Sequence, residues 1–453
     1  MLESAKAANI LAFRMRSTLL WRRGATAAGI YGAAAFGILG TIVSLKELTP
    51  KEFGVLTLVI SATGFFQTLF DLTIEEALVK FGFRYSAQQR FGRLRRMFRI
   101  AVAVKLAGGL VAAVVLVALA PLADLFWKGS TALPFLIGAA IPFVQAPEGV
   151  AGAALMLRSR YDIRGAFLLF SMVLRFSGLA VGAHYGVWQA VLGVLIAQVL
   201  ATAAVSTAGL LALRRFAGDE EELLAEDRPE IRTFVIQSSL ASGVVSVRAL
   251  ISPLLLGAVS TIQQVALFKA AQSPQGAFAS LSAPARMVLL AEQTKDWEHG
   301  RREQVFRGVR TYTLVALGAM LVIVPPFWLA MHWIVVHVGK PAYAPATDAA
   351  RLILLAAALQ LVVGWAKSFP VTIGRPELRV LAHGIESAAL VPLVIVFGSL
   401  WGATGAGGAV LASSCVFAAV WGVLFARLKR GEIGRGEPAI ELERHEAGEV
   451  LGL

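Results

Sequence analysis

The sequence predicts an all-α, polytopic integral membrane protein with about twelve transmembrane helices. Of 453 residues, 57% are hydrophobic and 16% charged, with a mean hydropathy of +0.70; soluble domains carry about 25% charged residues. Apolar runs of the ~20 residues needed to cross a hydrocarbon core of ~30 Å recur along the whole chain. They fall at 24–45, 54–79, 100–123, 133–157, 165–186, 187–213, 233–257, 264–290, 311–336, 347–373, 380–400 and 405–427. The third observation is charge placement: 31 of the 42 Lys and Arg lie at the termini and in alternate connections. Four lie in the remaining connections, at Lys46, Lys51, Lys128 and Lys340. Basic residues concentrate on the cytoplasmic side of a membrane, so both termini are expected in the cytoplasm.

The N-terminal segment, 1–23, is basic and lacks the pattern of a cleavable signal. It reads as a helix on the membrane surface, with Phe13, Leu19, Leu20 and Trp21 turned inward, or as a disordered leader. The second span, 54–79, leads into a run carrying Lys80, Arg84, Arg90, Arg93, Arg95, Arg96 and Arg99. Inside it sit Asp71, Glu75 and Glu76, with Asp71 roughly 13 Å from Lys80 along a helix. Asp71 and Glu75 share a helix face, and Glu76 is spaced to pair with Lys80.

Prolines interrupt several spans, among them Pro142 and Pro147 in the fourth and Pro392 in the eleventh. Each permits a kink, and broken helices are tolerated where they line a cavity. The connection 214–232 divides the spans six and six. It separates an N-terminal group (24–213) from a C-terminal one (233–427), with a faint echo between LTPKEFGVLTL and VSTIQQVALFK. The polar tail, 428–453, is expected to be cytoplasmic and disordered.

The net charge of +13 does not indicate nucleic acid, because the basic residues occupy short connections rather than one compact domain. The single cysteine, Cys415, excludes a disulfide framework. The six His show no metal-ligand spacing, so no metal or cofactor is expected.

Charges deep in a bilayer cost at least ~2.5–3.5 kcal/mol each unless paired or hydrated, and mark functional candidates. Besides Asp71 and Glu75 the spans hold Glu148, Arg175, Arg248, Lys269, Lys367 and Glu386. Arg175 lies ~15 Å from Arg164, near the midplane. Lys105 and Arg286 are set aside here as side chains long enough to reach headgroups. Two readings stand. The charges form structural ion pairs, such as Arg175 with Glu148 or Arg248 with Asp71. Alternatively Arg175, Arg248, Lys269 and Lys367 line a hydrated cavity suited to a phosphate or diphosphate, with Asp71, Glu75 and Glu148 as cation or proton sites.

Several stretches resemble a known family. ELTPKEFGVLTLV (47–59), FDLTIEEALVKF (70–81), VGKPAYAPATDAARLILL (338–355), IGRPELR (373–379) and WGATGAGGAVLAS (401–413) are similar to turn elements of the polysaccharide transporters. These form the Wzx-like branch of the multidrug/oligosaccharidyl-lipid/polysaccharide (MOP) flippase superfamily. The resemblance implies two six-helix lobes around a central cavity in a bacterial inner membrane. It also implies alternating-access export of a polyprenyl-diphosphate-linked oligosaccharide for surface polysaccharide or lipopolysaccharide synthesis. Implied partners are the lipid-linked substrate, the bilayer, a coupling H+ or Na+, and a polysaccharide polymerase or glycosyltransferase complex. Asp71 matches the family element, whereas Glu75 and Glu76 fall where it is usually neutral. Rival readings are a cation-coupled multidrug antiporter and a membrane-embedded glycan ligase or polymerase. The ligase is disfavoured because no long outer connection offers catalytic groups.

Overall fold

The computed structural model describes residues 2–127, 132–216, 222–224, 226–281, 293, 296, 297, 299–375 and 377–433. For 2–23, 126, 241, 242, 244–249, 274, 276–281, 371, 432 and 433 it describes the backbone alone. Among the described residues all regular structure is helical.

Helix α1 (Leu2–Glu47) carries the N-terminal segment within it, and a short turn leads to α2 (Pro50–Phe70). The start of α2 is set by a capping box. The Glu52 N–H donates to Thr49 Oγ1 at 3.3 Å, and the Thr49 N–H donates to Glu52 Oε2 at 3.0 Å. Pro50 stands where its missing N–H costs nothing.

The single helix expected across 54–79 is corrected here: α2 ends at Phe70, and Asp71 caps it with extended backbone (φ −84°, ψ 100°) before α3 (Ile74–Ala87) begins. Thr73 turns to another helix instead of continuing this one, its N–H donating to Ser239 Oγ at 3.0 Å. Short polar side chains offer the backbone such alternatives to the helical ladder. Glu75 and Glu76 then occupy the first turn of α3, where the helix dipole favours anions. The expected Glu76–Lys80 pair does not form: Ser238 Oγ donates to Glu76, and Lys80 lies over the Phe234 ring at 4.4 Å.

Helix α4 (Phe91–Trp127) is long and unbroken, whereas the span expected at 133–157 is in three pieces. These are α5 (Ala132–Gly138), α6 (Ile141–Gln145) and α7 (Pro147–Leu157). Pro142 and Pro147 start the second and third, since neither ring can donate to the preceding turn. Then follow α8 (Tyr161–Tyr185), α9 (Val187–Arg214), α10 (Arg228–Val259), α11 (Ile262–Leu281), α12 (Arg302–Val338), α13 (Thr347–Val362), the short α14 (Phe369–Thr372) and α15 (Glu377–Ile433). The last is bent at Gly402 (φ 58°), a conformation in which any Cβ is strained. Gln264 Oε1 accepts the Ala403 N–H there at 2.8 Å.

Nine helices among the described residues are long and apolar enough to cross a membrane, so the expected twelve is not reached by that count. The kinked α15 enters as one, and α10 contributes only Leu250–Val259 as an apolar helix. The expected disordered tail lies outside the described residues from 434 onward.

Most packing is within each half of the chain: α1 on α8, α8 on α9 and α7 on α9, then α13 on α15, α10 on α15 and α11 on α13. Helix α2 is the bridge, lying against both α10 and α11. At the start of α2 the approach is so close that a Cβ on Gly54 would sit 2.2 Å from the Ile262 carbonyl oxygen. Phe53 meets Tyr343 edge-on with centroids 6.1 Å apart, and both rings are buried. Gly54→Leu is therefore expected to cost about 1–3 kcal/mol by overpacking, read as a lower unfolding temperature in detergent. An unchanged transition would show that this contact does not hold the halves.

At the other end of the bundle the connecting segment docks on α3 and α4 through its acids. Arg84 donates to both oxygens of Glu230 at 2.8 and 3.0 Å. Arg93 holds Glu222 at 2.9 Å, Glu226 at 3.1 Å and Asp227 at 2.9 Å. The Arg84 hydrogen bond keeps the Glu230 carboxyl below the usual glutamate range. Tyr85, buried beneath, donates its hydroxyl to Asp227 at 2.8 Å.

Candidate functional site

The break between α2 and α3 places Asp71 and Glu75 where a side chain from α4 reaches both. Lys105 is buried, and its ammonium pairs with Asp71 and, at 2.5 Å, with Glu75. This corrects the sequence reading, which set Lys105 aside as a headgroup-seeking side chain; the other pairing named there, Asp71 with Arg248, falls on a side chain outside the described residues. Two carboxylates share one cation, so with all three groups ionised the cluster carries an excess negative charge. Both carboxylates keep about a third of their side-chain surface exposed, 32% for Asp71 and 31% for Glu75, against 3% for Lys105.

The exposed oxygens face a cavity of about 240 Å³ lined by Gln67, Asp71, Glu75, Lys105, Glu148 and Arg164, with apolar walls from α4, α8 and α9. That is room for several waters. Glu148 stands at the start of α7, and the Glu75 carboxyl lies beside its neighbour Gly149, 3.5 Å from where a Cβ would be, an ordinary packing distance.

A second network reaches the same wall. Arg175 on α8 donates to Gln198 Oε1, and Gln198 Nε2 donates to Glu148 at 2.9 Å and to Thr202 Oγ1 at 2.8 Å. Gln198 is fully buried, and its amide uses acceptor and donor ends to couple a cation to an anion that do not touch directly. The pairing of Arg175 with Glu148 named from sequence thus exists through a third residue.

Of the sequence candidates, Asp71, Glu75 and Glu148 come together around this cavity, and Arg175 joins them through Gln198. Arg248 lies on α10 with its side chain outside the described residues. Lys269, half-buried on α11, makes no ion pair or side-chain hydrogen bond among the described residues. Lys367 closes a 3₁₀ turn, Gly364–Lys367, beside the buried aromatic cluster of Trp365, Phe369 and Trp421.

Sequence reasoning missed Lys105, Gln198 and Arg164. Gln198 had a legible signal, as an amide inside an otherwise apolar run. Glu386, deep in α15, binds His383 Nδ1 at 3.1 Å, away from this site. Among the described residues no group of three or more His, Cys, Asp or Glu is placed to hold a metal ion.

Broken membrane helices that present polar groups to an internal cavity, in a bundle of apolar helices, recur in membrane transporters. The same fold occurs in solved transporters. One is an inward-facing multidrug resistance MATE family transporter of the MOP superfamily (14% identity, TM-score 0.70, covering 89% of this chain and 96% of that one). Another is the lipid II flippase MurJ in an inward closed conformation (12%, 0.66, 90% and 90%). A third is a MOP superfamily transporter from Pyrococcus furiosus described as having a binding pocket of reversed polarity (13%, 0.56, 89% and 93%). The model of the polysaccharide biosynthesis protein family matches residues 19–290, and the chain belongs to that family. No curated protein matches the sequence.

Proposed function

We propose that the protein translocates a polyprenyl-diphosphate-linked oligosaccharide across the bacterial inner membrane during surface polysaccharide synthesis, and that it is not an enzyme. The observation that carries this reading is the Lys105-bridged pair Asp71 and Glu75 at a helix break, in a chain of the polysaccharide biosynthesis family. The two halves, 24–213 and 233–427, act as lobes that rock about a central cavity, with the termini cytoplasmic as the Lys and Arg distribution requires. Arg248, Lys269 and Lys367 supply cations for the diphosphate. Lys269, half-buried among apolar side chains and without an ion-pair partner among the described residues, is suited to a ligand anion, because a cation there gains most from a partner.

The acids Asp71, Glu75 and Glu148 bind the coupling proton or Na+. A second positive charge arriving at the carboxylate pair competes with the Lys105 ammonium, so occupancy shifts how α3 is held against α4. That gives an ion gradient a lever on the broken helix. Arg175, tied to Glu148 through Gln198, connects this lever to α8 and α9.

The test is depletion of the protein in its host. Lipid-linked glycan is expected to accumulate in the inner leaflet while surface glycan falls. Arg248→Ala and Lys269→Ala should lower export with membrane insertion intact. A second reading, the cation-coupled multidrug antiporter, is favoured by the three carboxylates against two cations on the cavity wall. Unchanged glycan display together with new drug sensitivity would establish it in place of the first.

A further inference from the structure

Outside the site, a groove of about 780 Å³ runs along α4, α7 and α9. Arg95, Arg99 and Arg214 stand at one end of it. The rest of its wall is almost wholly apolar, with Val102 and Leu106 from α4, Val150 from α7 and Leu210 from α9. From Arg95 to Leu106 the distance along α4 is ~16 Å. Polarity therefore changes along the groove from basic mouth to apolar trough, in the order in which a phospholipid presents phosphate and acyl chain. The Arg95 and Arg214 side chains make no ion pair or hydrogen bond among the described residues, so their guanidinium donors are available to a ligand.

We infer that this groove is a binding site for an anionic phospholipid, with its phosphate between Arg95 and Arg214 and an acyl chain in the trough. Basic pockets between membrane helices bind such headgroups, and apolar walls alone would not select by charge. A free phosphate would use the mouth and leave the trough empty. The groove's walls come only from the first half of the chain, so a cargo handed between halves has no reason to occupy it. Its floor is the far side of α7: Pro147 and Val150 line the groove while Glu148 between them lines the polar cavity. A lipid seated here props the helix that carries Glu148.

The test is native mass spectrometry of the purified full chain in detergent, titrated with phosphatidylglycerol or phosphatidylcholine. One phosphatidylglycerol is expected to stay bound under activation that strips phosphatidylcholine. Arg95→Gln with Arg214→Gln should weaken its retention about thirtyfold, as two basic residues at a lipid surface imply. Ala103→Phe, at an exposed position on the groove wall, should weaken it with no change of charge. Lys429→Gln with Arg430→Gln, an equal loss of charge at the end of α15, should leave it unaltered. Equal retention of both lipids, an equal effect of the α15 substitutions, or full retention in Ala103→Phe would overturn the site. So would displacement of phosphatidylglycerol by inorganic phosphate or by a polyprenyl phosphate at equal concentration. The first would leave a phosphate-binding mouth alone; the second would assign the trough to the transported lipid.

Discussion

Lys105→Met is expected to abolish export and to lower stability by about 3 kcal/mol. Removing one partner of a buried ion pair commonly costs about 3–5 kcal/mol, because the other charge is left uncompensated. The lower end applies here, since Asp71 and Glu75 each keep about a third of their side-chain surface in contact with the cavity and are partly screened. The measurements are thermal unfolding in detergent and glycan display at the cell surface. Adding Asp71→Asn to Lys105→Met should recover much of the stability, by removing one orphaned charge, while export stays absent. If Lys105→Met alone unfolded and exported like the parent, the bridged carboxylate pair would have no part in either property.

Gln198→Met carries the second large effect. The side chain keeps its volume but loses an acceptor for Arg175 and a donor for Glu148. Hydrogen bonds to charged groups contribute about 1.5–3 kcal/mol each, so a loss of roughly 3 kcal/mol or more is expected. Export should fall with it, because Arg175 and Glu148 are then uncoupled. Thr202→Val, which removes only a neutral acceptor from the same amide, is expected to cost about 1 kcal/mol. Equal costs for the two substitutions would show that Gln198 acts by filling space rather than by joining charges.

The candidate site was legible in part. Asp71, Glu75 and Glu148 stand out as acids in apolar runs, and depth along a helix follows from residue counting. Their common cavity did not follow, because it depends on a break that the hydrophobic pattern does not record. Residues 54–79 read as one span, yet the Thr73 backbone finds Ser239, 166 positions away in the chain. Lys105 was misjudged for a related reason. Its position suits snorkelling, and only the folded chain brings two carboxylates within reach of its ammonium. Arg175 and Glu148 were read as a direct ion pair, whereas they meet only through an amide that sits on a third helix.

By itself the sequence determined the helical membrane class, the places where prolines divide a span, and the imbalance of Lys and Arg between connections. Each is a property of local composition: hydrophobicity sets partition into lipid, proline removes a donor, and charge resists transfer. Only the tertiary structure decided which charges neutralise one another, that α2 joins both halves, and that Lys269 has no partner among the described residues. A Coulomb interaction or a shared hydrogen bond depends on distances of a few ångströms between helices, and those distances are set by packing rather than by order along the chain.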